Sequence, residues 1–122
     1  MDSRKTSSTK EEGEEKKKFK LKIFTEDNLQ DLISKGWNVE LMIRGQLRTL
    51  TSKTFFVEVT ESTTILELKQ IIEDQEGYNR HHQYIKKRTK YLEDKKTLYD
   101  YFVTENDCLL LINPAKKKNL KQ

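Results

Sequence analysis

The side chains best suited to chemistry are few, and they do not converge. His81 and His82 are neighbours, Cys108 is the one cysteine, and Lys86, Lys87, Arg88 and Lys90 form a basic run with Lys95 and Lys96 close behind. A metal needs several ligands aimed at one point, whereas adjacent residues of an extended segment diverge. No Cys, Asp or Glu neighbours the histidines at ligand spacing, so they are expected at the surface. A reactive thiol needs a nearby base or an electropositive pocket. Cys108 has no such neighbour in the sequence and reads as a small, partly buried side chain. No Gly-rich phosphate loop, carboxylate pair or Ser-His arrangement is present. The expectation is a non-enzymatic chain without metal or cofactor, and what remains is binding.

Charge narrows the kind of binding. The net charge is +4, yet residues 1–41 hold nine cations and nine anions, and residues 42–114 hold eleven of each. The whole excess comes from Lys116, Lys117, Lys118 and Lys121. This is a basic tag on a balanced body, not a basic surface. Lys116, Lys117 and Lys118 extend the cluster of Lys86, Lys87, Arg88, Lys90, Lys95 and Lys96, for which an acidic protein surface, a phosphate backbone and a plain solvated face all stand as readings. Tyr84 and Tyr91 are the aromatics near that cluster, too few for a base-stacking platform. A single cysteine rules out an internal disulfide. No signal peptide is visible, and no apolar run approaches the roughly 20 residues of a membrane span. These features predict a cytoplasmic or nuclear protein with no membrane contact.

The elements that must position these residues follow from periodicity. Residues 1–18 carry no core-forming side chain after Met1 and are expected to be a disordered charged tail. Phe19 to Phe24 alternates apolar and basic, as a strand with one buried face does. Thr25 caps acids suited to a helix start, and Leu29, Leu32 and Ile33 recur at helical spacing before Gly36, so a short helix is predicted over 26–35. Residues 19–38 thus read as an N-terminal arm of strand plus helix. Val39, Leu41, Ile43 and Leu47 share one parity, which predicts a strand paired in a hairpin with Thr54–Val59. Thr64 then caps a helix with Ile65, Leu68, Ile71 and Ile72 on its inner face, and Gly77 ends it. Weaker strands at 83–87 and 90–92, a Leu98–Tyr101 segment and a last strand at 108–113 complete an α+β sheet crossed by one helix.

At Thr49-Leu50-Thr51-Ser52-Lys53-Thr54, at Thr64 through Gly77, at Tyr91-Leu92-Glu93-Asp94 and at Thr97-Leu98-Tyr99-Asp100-Tyr101 the sequence resembles ubiquitin, without a gap from Ile43 to Pro114. The resemblance implies a β-grasp domain over 39–114, followed by a basic tail over 115–122. Three comparisons carry its functional content. Conjugated modifiers end in a flexible Gly-Gly, because side chains would block the enzyme channel that the tail threads. The matching positions here begin at Ala115-Lys116-Lys117-Lys118, so conjugation is not expected. The recognition patch of ubiquitin, a Leu in the first turn, an Ile in the third strand and a Val in the last, corresponds to Leu50, Lys86 and Ile112. A lysine at its centre should weaken ordinary receptors and suit a partner with a facing carboxylate.

The third comparison concerns the last strand. Alternation would bury Leu109 and Leu111 and expose Cys108, Leu110 and Ile112, yet Leu109-Leu110-Leu111-Ile112 is apolar throughout, the pattern of a strand covered on both faces. The arm of residues 19–37 folds over it, another protein docks there, or both. The resulting expectation is a non-conjugated ubiquitin-like adaptor or structural subunit of a larger protein assembly, binding through Leu50, Tyr84, Lys86, Leu110 and Ile112. Cytoskeletal and axonemal settings are compatible with it. A basic ribosomal or RNA-complex component and a proteasome-directed ubiquitin-like domain are the alternatives.

Overall fold

Alternation in Phe19–Glu26 does produce a strand, β1, but that strand lies at the centre of the sheet and not in an arm outside it. The computed structural model describes residues 17–112 and Pro114. Nearly all of the charged segment 1–18, and the tail with Lys116, Lys117 and Lys118, therefore lie outside the described residues. Within them, β1 is followed by helices α1 (Leu29–Ser34) and α2 (Val39–Ile43), strand β2 (Lys53–Val59) and helix α3 (Ile65–Glu76). Strands β3 (Tyr84–Lys87), β4 (Lys90–Tyr91) and β5 (Cys108–Ile112) complete it. The sheet order is β2-β1-β5-β3-β4. β1 runs parallel to β5 and antiparallel to β2, and β3 is antiparallel to both β5 and β4. A mixed sheet of this order with one crossing helix is the β-grasp architecture.

The hairpin partner of β2 is therefore Phe19–Glu26, with Phe19 opposite Val59 and Thr25 opposite Lys53. The strand expected over Val39–Leu47 is instead α2 and the turn that follows it. Asn38 decides this locally: its side chain accepts the Leu41 N–H at 3.1 Å and caps the helix. Gly45, at φ 78°, then reverses the chain in the left-handed region open to glycine. The domain starts at Phe19 rather than at residue 39, and residues 27–52 are an insertion between its first two strands.

α3 matches its sequence signals closely. Thr64 and Glu67 form a reciprocal capping box, and Gly77 at φ 82° ends the helix. Its inner residues Ile65, Leu68 and Ile72 pack on Leu21, Ile23, Val57, Ile85, Leu109 and Leu111 from one face of the sheet. Lys53, at the start of β2, ties down the far end of α3 through a 2.7 Å ion pair to Glu76. A hydrogen bond from Lys53 to Glu76 holds the lysine pKa above its ordinary value.

The opposite face of the sheet has its own apolar cluster. Phe24, Leu110 and Ile112 pack under Leu29 of α1 and Met42 of α2, with Leu32, Ile33, Trp37, Val39, Ile43, Leu47 and Cys108 around them. Helices of six and five residues cannot persist alone in water. Their stability comes from this packing, at about 1.5–3 kcal/mol for each large side chain removed from solvent. The molecule thus has three layers: α3, the sheet, and the insertion.

Candidate protein-interaction surface

The register of β5 fixes which side chains share the outer face. Leu110 lies between Phe24 of β1 and Lys86 of β3, and Ile112 lies between Glu26 and Tyr84. The doubly apolar last strand is covered on both sides, as its composition predicts, and the cover is the chain's own insertion. Leu110 and Ile112 are 3% and 4% exposed. As binding residues they must be corrected: both belong to the core beneath α1 and α2.

The other proposed contacts separate sharply. Leu50, in the turn before β2, is fully exposed, and Tyr84 is 57% exposed. Lys86 is only 9% exposed, so the centre of the expected patch is not an open surface. Its Nζ sits 4.9 Å from the ring centroid of Tyr91, the residue opposite it on β4. A partly desolvated cation gains from such a ring face. The Tyr91 hydroxyl in turn donates to Gln30 Oε1 of α1 at 3.3 Å. Insertion, β4 and Lys86 are thus joined in one corner.

The basic cluster is likewise divided. Lys87 is half-buried, donating from Nζ to the carbonyls of Tyr101 and Phe102 at 2.9 and 3.1 Å. Arg88, Lys90, Lys95 and Lys96 are exposed. Arg88 has φ 59°, a left-handed value that a two-residue link between strands requires and that glycine or asparagine would meet with less strain. The short Lys87-Arg88-Thr89-Lys90 connection was the signal for this residue, and reading it only as charge missed it.

His81 and His82 are exposed on a single 3-10 turn, Arg80–His82, and no group of residues suited to a metal occurs among the described residues. Cys108 lies beside α2, and burial pushes its thiol up to about 11, with Lys22 pulling part of the way back. A thiol so protonated is a packing residue rather than a nucleophile. Among the described residues, no helix is long and apolar enough to cross a membrane.

A feature absent from the sequence reading is the junction at Glu26. This carboxylate, 3% exposed, accepts the Asn28 N–H at 2.7 Å and the hydroxyls of Thr49, at 3.0 Å, and Thr51. Donors from both ends of the insertion meet one acceptor, which fixes where the insertion leaves and rejoins the sheet.

Sheet order, crossing helix and capped outer face define a β-grasp protein with an elaborated first connection. A model of the ubiquitin family matches residues 46–113, more than half of the chain, and the protein belongs to that family. The matched span leaves out β1, which the insertion displaces far upstream of its expected position.

Proposed function

We propose that this is a non-conjugated ubiquitin-like interaction module, serving as an adaptor or structural subunit of a larger protein assembly. The ubiquitin family is generally non-enzymatic, which agrees with the scattered polar side chains described above. The observation that carries the reading is the insertion over Leu110 and Ile112. It occupies the sheet face where ubiquitin receptors dock, so the module needs partners of its own. The surfaces left to them carry the exposed side chains Leu50, Tyr84 and Tyr91 and the exposed cations Arg88 and Lys90.

A ubiquitin-receptor domain titrated into the 15N-labelled chain tests this, with ubiquitin as the positive control. Little or no shift is expected where ubiquitin saturates. Binding of comparable strength would overturn the reading. A nucleic-acid-binding subunit would instead lose affinity steeply with salt, and Lys86 and Lys87, held by internal contacts, favour the protein partner.

A further inference from the structure

Beside the capped face lies an open cleft of about 520 Å3, bounded by α2 on one side and the β3–β4 turn on the other. Val39, Ile43, Phe56 and Leu110 line it with apolar surface, and Lys86 and Arg88 stand in its wall. That volume suits a small ligand or a short stretch of peptide.

The charge of the cleft is uneven once internal pairings are removed. Asp107 accepts the Thr104 N–H at 2.8 Å and faces Lys87 at 3.8 Å. Glu40 is paired with Arg44 at 3.6 Å. Glu105 is the remaining carboxylate of the lining. Against it stand Lys22, Lys86 and Arg88, none within ion-pair distance of a carboxylate among the described residues. Among the described residues, Lys22 Nζ donates to the Ile43 carbonyl at 3.3 Å. Arg88 adds an independent observation: a long cation is kept at φ 59°, where glycine would relieve the backbone.

We propose that the cleft binds an acidic peptide segment of a partner protein. One bulky apolar side chain lies against Val39, Ile43 and Phe56, and flanking carboxylates meet Lys22 and Arg88. The guanidinium takes its carboxylate through paired N–H donors. The inference rests on the interaction-module reading and specifies the chemistry of the partner.

The test is selection from a phage-displayed random heptapeptide library with the intact chain as bait. Enriched peptides are expected to combine Asp or Glu with a Leu, Phe or Trp. Arg88→Gly should raise Tm, because the strain is relieved, yet weaken those peptides at least about tenfold. A lesion in folding could not produce that combination. Lys22→Gln should weaken them as well. Enrichment without acidic bias, or full binding to Arg88→Gly, overturns the proposal. Peptides whose binding is lost in Tyr84→Ala and kept in Arg88→Gly overturn the cleft while leaving the interaction module standing. Self-association of the chain that Arg88→Gly abolishes, with no peptide enriched, would assign the cleft to a second copy and also overturn it. No enrichment at any surface counts against both readings.

Discussion

Glu26, the last residue of β1, accepts a hydrogen bond from the hydroxyl of Thr51, two residues before β2 begins. This contact closes the base of the insertion, with Thr49 Oγ1 and the Asn28 N–H donating to the same carboxylate. The three donors come from opposite ends of residues 27–52, so the carboxylate does for the insertion what a tight turn does for a short hairpin.

Glu26→Ala would leave those donors without their acceptor in a part-buried junction. An expected loss of about 2–3 kcal/mol follows, because hydrogen bonds to a charged group are worth more than neutral ones. Glu26→Gln keeps one acceptor oxygen and should lose less. Urea denaturation gives the magnitudes, and hydrogen exchange locates the effect: the amides of α1 and α2 should open faster in Glu26→Ala than those of α3. Uniform acceleration would show that the junction holds the whole fold and not the insertion.

Leu50 and Leu110 make a direct comparison of the covered and uncovered positions. Leu110 is 3% exposed beneath the insertion, and Leu50 is wholly in solvent. Leu110→Ala should destabilise by about 2–5 kcal/mol through lost burial and a residual cavity, and Leu50→Ala by no more than about 0.5 kcal/mol. Equal, small effects in chemical denaturation would mean that α1 and α2 do not cap the sheet in solution.

Much of the fold was legible because its signals were local. Thr64, Glu67 and Gly77 announce α3 at both ends, and Leu109 to Ile112 announce a strand covered twice. The strand period of β1 was equally plain, but its place in the sheet was not, because pairing with Lys53–Val59 spans the whole insertion and leaves no trace in spacing. A five-residue stretch with four apolar side chains, such as Val39–Ile43, fits strand and helix alike, and the Asn38 cap decides it only in three dimensions. That one ambiguity placed β1 outside the domain and left Leu110, Ile112 and Lys86 on an open face. Contacts such as that of Glu26 with Thr51 depend on tertiary closure and were beyond reach.

Cys108 gives a pH-dependent prediction. Burial raises its thiol to about 11, so between the ordinary cysteine value of about 8.5 and that point the unfolded chain gives up a proton that the folded chain keeps. The unfolded state then binds fewer protons, and stability falls as pH rises through this window. Below it the contribution is fully present. Alkylation by iodoacetamide should be slow at pH 8, rise towards pH 11 in the native protein, and become fast at pH 9 in urea. A native profile with its midpoint near 8.5 would place the thiol in solvent and contradict the packing of Cys108 against the insertion.

Phe102 presents the reverse situation, a side chain whose backbone costs stability. It closes the 3-10 turn Tyr99–Tyr101 at φ 56° and ψ 38°, and the residue is 76% exposed. A bulky residue in this left-handed region costs about 1–2 kcal/mol. The ring recovers little of that, since its aromatic neighbour is Tyr99, itself exposed, at 6.5 Å between centroids. The backbone conformation is held independently of the ring, by the Phe102 N–H to the Tyr99 carbonyl at 3.0 Å and by Lys87 Nζ on the Phe102 carbonyl. Phe102→Asn should therefore raise stability by about 1 kcal/mol, and Phe102→Gly by less, because glycine adds freedom to the unfolded chain. Thermal denaturation of the two variants decides it. A lower Tm in Phe102→Asn would mean that the contact with Tyr99 outweighs the strain, and that the two rings act as one packed unit.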